Sequence, residues 1–197
     1  MVYSVKNNAP RGNVILAAVL TALFLLMLTC SGCVPEQKPV IIQPPVSSLI
    51  KATKTQRECV VETYRAEIGV REATGNNDGH HVEKYLASTQ LGPGYAWCAA
   101  FVNWNMRHCG VIGPQAAAWS PSWFAKDRLT HNPLPGDVFG LYYQSKKRIA
   151  HVGFVDEWTA TKVRTVEGNT NDAGSRDGVY VKYRIPKQIT ATANWID

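Results

Sequence analysis

Apolar and polar positions alternate in three different ways along the 197-residue chain. Residues 14–28 (VILAAVLTALFLLML) form an unbroken apolar run. From residue 57 the spacing becomes helical: Val60, Val61, Tyr64 and Ile68 fall on one face, predicting a helix over 57–68. A Gly-Asn-Asn-Asp-Gly loop at 75–79 separates it from a short second helix near 82–87. A third helix is expected over 97–108 with Gly110 as its stop, and Ser120-Pro121 would cap and start a short fourth. Beyond Pro133 the period changes to two. Residues 137–143, 150–156, 162–166 and 179–185 are β-branched or aromatic runs between turn formers. Helices followed by antiparallel strands predict an α+β fold, its N-terminal helices packed on one face of a small antiparallel sheet.

The first apolar run is 15 residues long, short of the roughly 20 that span a membrane comfortably. With Lys6 and Arg11 before it and small residues after, it reads as a secretory signal peptide over 1–32. Ser31-Gly32-Cys33 resembles the lipobox of bacterial lipoproteins, although Cys30 stands where that motif usually has Leu. Lipidation of Cys33 is therefore expected. An ordinary cleaved signal or an uncleaved anchor would equally place the rest of the chain outside the cytoplasm. Residues 33–56 carry Pro35, Pro39, Pro44 and Pro45, which disfavour helix and sheet, and read as a tether. At about 3.1 Å per residue such a tether would reach on the order of 60–70 Å. The domain itself is expected over 57–197.

Charge narrows the field little. Cleavage before Cys33 would remove two basic residues and leave 19 Lys/Arg against 15 Asp/Glu, a net charge of +4. That suits an anionic polymer, but Lys146-Lys147-Arg148 is the longest basic run, too sparse to suggest nucleic acid. Three cysteines remain in the domain. An oxidising compartment would permit one bridge, with Cys59 and Cys109 as one pairing, and leave a thiol to account for.

Cys98 falls at the start of the third helix. Unpaired N–H groups and the positive end of the helix dipole stabilise a thiolate there, and the same groups can hold an oxyanion. His151 lies within a predicted strand, on the face shared with Gly153 and Val155, where it could take a proton from a thiol on a packed helix. Glu167 and Asn169, two residues apart at the end of the next strand, would point to the same side. One could accept the imidazole Nδ1–H and fix the ring; the other could position that group or polarise a substrate. Each feature also has a plain structural explanation: a buried cysteine, a packed histidine, a turn rich in Gly and Asn.

Taken together, WCAAFVNW, PLPGDVF, AHVGFV and VEGNT, in that order, resemble the CHAP domain of the wider NlpC/P60 cysteine-peptidase group. The resemblance covers roughly residues 65–185. It implies a papain-like fold and a peptidoglycan hydrolase that cleaves an amide bond, either an N-acetylmuramoyl-L-alanine amidase or an endopeptidase. In that reading Cys98 is the nucleophile, His151 the base, Glu167 the orienting acid and Asn169 the accessory polar residue. Trp97-Cys98-Ala99 departs from the Asp-Cys-Ser usual in NlpC/P60 proteins and favours the CHAP branch. Some CHAP enzymes bind calcium through an acidic loop; Asn76, Asn77 and Asp78 offer one carboxylate, so no metal is expected. Adjacent His80 and His81 point apart by about 100° on a helix and make a poor zinc pair. No cofactor is expected, and the protein is read as a monomer held to a bacterial membrane by its lipid, with peptidoglycan as its partner. Trp97 is the tryptophan expected to border the cleft. Two other readings stay open: a non-catalytic envelope-binding module, and a papain-like deamidase or acyltransferase acting on a protein.

Overall fold

A computed structural model describes residues 54–197 apart from 174 and 176. The expected signal peptide, Cys33 and nearly all of the tether lie outside the described residues. The described chain forms three α-helices, short 3-10 turns and a five-stranded sheet.

Helix α1 (Gln56–Ala66) starts at a capping box, in which Thr55 accepts from the Glu58 N–H and the Glu58 carboxylate accepts from the Thr55 N–H. It ends at Ala66, two residues earlier than the apolar spacing suggests, so Ile68 lies outside it and is 38% exposed. Helix α2 (His80–Ala87) follows Gly79, which holds φ at +103°. Helix α3 (Cys98–His108) stops before Gly110, whose φ of +75° favours glycine. A disulfide between Cys59 and Cys109 joins α1 to the end of α3.

The strands are β1 (Val138–Tyr143), β2 (Arg148–Trp158), β3 (Val163–Thr170), β4 (Gly178–Arg184) and β5 (Ala191–Ala193). Their order in the antiparallel sheet is β4-β3-β2-β1-β5. Three residues of small side chain, Ala191–Ala193, give β5 too little pattern to read, yet it covers the outer edge of β1.

As expected, the helices pack on one face of the sheet. Val60, Leu86 and Val102 share a core with Val138, Val152, Phe154 and Val166. Phe154 is its hub: Tyr64 stacks on the ring at 4.6 Å between centroids, and Phe101 meets it edge-on at 5.9 Å. The other face carries a smaller cluster of Phe139, Leu141, Val155 and Val163. The Pro135-Gly136-Asp137 turn is held by Arg57, whose guanidinium donates to the Pro135 carbonyl at 2.8 Å and to Asp137 Oδ1 at 2.9 Å.

Candidate active site

One irregularity in the sheet makes the site. Pairing between β2 and β3 runs only as far as Phe154–Val166, whereas β2 continues to pair with β1 down to Arg148. The stretch of β2 carrying His151 and Val152 is thereby unpaired with β3, and Cys98 at the start of α3 interacts there with the Val152 N–H. His151 extends from the face opposite the helices, as its alternation with Gly153 and Val155 predicts. The parting of the strands lets it meet a sulfur presented from the helix side.

Cys98 is the first residue of α3, buried and, among the described residues, the free cysteine. Its sulfur interacts with His151 and with the Val152 N–H, and lies 3.8 Å from Ser120 Oγ. Burial pushes a thiol pKa upward, but these partners outweigh it and leave Cys98 below its ordinary value. Burial likewise disfavours an imidazolium, yet the bonds to Cys98 and Glu167 raise His151 to about 9. The two shifts favour a thiolate–imidazolium pair.

Glu167 Oε2 lies 2.8 Å from His151 Nε2. This corrects the expected use of Nδ1: the ring meets the carboxylate through Nε2. Glu167 is fully buried, which would raise its pKa, but the hydrogen bonds of His151 and Arg184 hold it down to about 2. Arg184 on β4 grips both carboxylate oxygens, Nε and Nη2 each at 2.6 Å, and Thr165 donates to Oε1. Neither residue was recognisable in the sequence, because cross-strand neighbours of a buried carboxylate follow from register alone. Gly153 opens the space for this arrangement: a Cβ there would lie 2.8 Å from the Val166 carbonyl, 2.9 Å from Phe139 and 3.1 Å from Glu167 Cγ.

Asn169 does not join Glu167 on the same side. The β3–β4 register shifts between Glu167 and Thr170, and Asn169 takes a left-handed φ of +56°, so the two-residue alternation breaks. Its Oδ1 accepts the Trp97 N–H at 2.9 Å and its Nδ2 donates to Asn77 Oδ1 at 3.1 Å and Asp177 Oδ2 at 3.3 Å. Asn169 thus anchors the residue before Cys98 to the end of β3. Trp97 is also not at a cleft wall. It is fully buried, donates from Nε1 to Glu72 at 2.8 Å, and packs on Gly168, where a Cβ would come within 2.7 Å of its ring.

Trp119, 49% exposed, takes the surface position instead, with the Arg148 guanidinium 4.0 Å from its ring centroid. It caps the 3-10 turn Ser120–Phe124; Ser120 itself is not the cap but points toward Cys98. Tyr143, from the end of β1, lies within electrostatic reach of Cys98, Glu167 and Arg184. In the 75–79 loop, Asp78 is taken up by the Thr74 N–H and hydroxyl, and Asn77 by Asn169. No cluster of three metal-ligating side chains occurs among the described residues.

No curated protein matches the sequence. Among solved structures, the crystal structure of Ly7917 with the hydrolyzing product of MDP is similar at 15% identity and a TM-score of 0.43, over 71% of this chain and 63% of that one. A second structure of Ly7917 gives 15% identity and a TM-score of 0.42, over 71% of this chain and 61% of the other. The chain thus spans less than two thirds of the length of either. The stretch that holds Cys98, His151, Glu167 and Asn169 is the one a family model describes: residues 90–169 match the CHAP domain.

Proposed function

We propose that this protein is a peptidoglycan hydrolase that cleaves an amide bond with Cys98 as nucleophile, His151 as acid and base, and Glu167 as the group that orients His151. The observation that carries the reading is the buried chain from sulfur to imidazole to carboxylate, with the carboxylate held in turn by Arg184. The match of residues 90–169 to the CHAP domain supports peptidoglycan as the substrate.

In this mechanism the Cys98 thiolate attacks the amide carbonyl carbon, and the oxygen gathers the negative charge. The N–H groups in the first turn of α3, which have no partner four residues back, face that charge. The C–N bond breaks as the imidazolium gives its proton to the departing amine. His151, now neutral, takes a proton from water; the hydroxide adds to the thioester, which collapses to a carboxylate and returns the thiolate. Glu167 keeps the ring oriented throughout, and Asn169 fixes the start of the helix that carries the sulfur.

The same reading puts the domain outside the cytoplasm, tethered by residues 33–56 to a lipid on Cys33. The Cys59–Cys109 disulfide supports a compartment that oxidises thiols. The test is the clearing of purified peptidoglycan suspensions by the reduced protein before and after alkylation. Clearing that is lost in step with Cys98 modification supports the thiol mechanism; clearing that survives complete modification contradicts it.

A further inference from the structure

Of the polar groups around Cys98, one has no part in the chain from sulfur to imidazole to carboxylate. Ser120 is 5% exposed, and its Oγ lies 3.8 Å from the Cys98 sulfur. Buried hydroxyls are normally satisfied by a hydrogen bond to a good acceptor. The other buried serine or threonine hydroxyls among the described residues are so satisfied: Thr165 donates to Glu167, and Thr192 to the Thr130 carbonyl at 2.6 Å. For Ser120 the polar neighbour among the described residues is the sulfur, a weak acceptor until it is ionised.

A clamped turn holds the hydroxyl there. Pro121 fixes the backbone at the start of the 3-10 turn Ser120–Phe124, and the Ser122 N–H closes it on the Trp119 carbonyl at 2.9 Å. Trp123 is fully buried, donates from Nε1 to the Ala117 carbonyl at 3.0 Å, and accepts at its own carbonyl from Trp195 Nε1 at 2.9 Å. Phe124 packs on Gly140 of β1, where a Cβ would come within 2.5 Å of its ring. Trp123 and Phe124 join the core that the helices share with the sheet, so Ser120 reaches the sulfur from the helix side. His151 reaches it from the other face, beside Phe139.

We propose that Ser120 is a catalytic residue of the thiol reaction, its hydroxyl donating to the oxyanion that forms when Cys98 attacks a carbonyl. The inference deepens the proposed function and rests on Cys98 being its nucleophile. The oxyanion develops on the carbon bonded to sulfur, two bonds from Sγ. A donor serves it at about 2.7–3.1 Å from that oxygen. A hydroxyl 3.8 Å from the sulfur is too far for a strong bond to the thiolate, yet within such reach of the new oxygen. With His151 on the opposite face, the departing amine meets the imidazolium while the oxygen meets Ser120 and the N–H groups at the start of α3. Ser120 keeps its proton throughout. Its hydrogen bond strengthens in the transition state, which is the condition for raising the rate.

The test compares two reactions of the same sulfur. p-Nitrophenyl acetate acylates Cys98 through a tetrahedral oxyanion and releases p-nitrophenolate; iodoacetamide alkylates it by displacing iodide, and no oxyanion forms. Both second-order rates are measured across pH on the full-length protein in detergent, with the rate of the Cys98→Ala protein subtracted. Ser120→Ala should slow acylation about a hundredfold, as the loss of one oxyanion donor does, and leave alkylation and its pH dependence unchanged. Ser120→Thr, which keeps a hydroxyl, should recover part of the acylation rate, and Ser122→Ala, in the same turn, should lower neither reaction. Equal falls in both reactions, or a shift of the alkylation profile that accounts for the slower acylation, would put Ser120 to work on the thiolate or the fold and overturn the assignment. Acylation that ignores Ser120→Ala would overturn it too. Neither probe contains peptidoglycan, so the two readings fail separately. Selective loss of acylation in a protein that digests no peptidoglycan removes the substrate reading alone; unselective rates in a protein that does digest it remove the role of Ser120 alone.

Discussion

At Cys98, burial and hydrogen bonding oppose one another, and the same contest recurs at His151 and Glu167. Each would sit uncharged if burial decided alone; each is charged because its neighbour is. The kcat/KM profile for peptidoglycan should therefore be bell-shaped, with an acid limb below the ordinary thiol range and an alkaline limb near the His151 value of about 9. Glu167→Gln removes the charge that favours the imidazolium, so His151 loses its proton at lower pH and the alkaline limb should move down while kcat falls. A limb that stays in place would show that Glu167 does not act through His151. The same shifts give stability a pH window. Glu167 drops from about 4.5 to about 2 on folding, so its contribution is complete above about pH 4.5 and lost as pH falls toward 2. His151 rises from 6.5 to about 9, so its contribution is complete below about pH 6.5 and fades as pH rises through 9. Stability measured by denaturant unfolding across pH should decline toward both ends.

Between single residues and the whole domain, the parting of β2 from β3 is the decisive feature. It depends on Gly153, where the Val166 carbonyl, the ring of Phe139 and Glu167 Cγ crowd the backbone, and on the shifted register after Glu167. Gly153→Ala should cost about 1–3 kcal/mol in unfolding experiments, as overpacking generally does, and should displace Glu167 from His151. Asn169→Ala gives a contrasting result. It leaves the Trp97 N–H without its acceptor, at a cost of about 1–3 kcal/mol. It should lower kcat through a misplaced helix start, yet leave the pH limbs where they are, because Asn169 bonds to neither His151 nor Glu167. A profile shifted like that of Glu167→Gln would contradict this division of roles. Here the sequence was informative to different depths. Period-three-to-four and period-two spacing located the helices and four of the five strands, and a cysteine at a helix start with a histidine on a strand is a local signature. Alternation then misplaced Asn169, because a register shift leaves no mark on side-chain periodicity. Arg184, Thr165 and β5 depend on which strands become neighbours, which local pattern does not encode.

For the molecule as a whole, the bridge between Cys59 and Cys109 closes a loop of sequence separation 50 and pins α1 to the far end of the helix whose near end carries the nucleophile. On the chain-entropy scale a loop of that size is worth about 4 kcal/mol. A Cys59→Ser/Cys109→Ser protein should therefore melt on the order of 10 °C lower by calorimetry, while Cys98 still labels with a thiol reagent below its melting temperature. An unchanged melting temperature would show that α1 is held by the aromatic core around Phe154 rather than by the bridge. The helices-on-one-face architecture follows from the sequence because helical spacing precedes residue 109 and strand spacing follows Pro133; the burial of Trp97 does not, because an indole beside a nucleophile is equally at home in a core or a cleft.

The most direct test of the central claim is end-group analysis of peptidoglycan digested by the protein and, in parallel, by its Cys98→Ala variant, with products identified by mass spectrometry. The protein should release fragments with one new amine terminus and its matching carboxylate, and the variant should release none. The identity of that amine names the bond: L-alanine for an amidase, another residue of the peptide for an endopeptidase. Equal products from both proteins, or new reducing sugar ends in place of amines, would contradict the assignment of Cys98 as the nucleophile of an amide hydrolase.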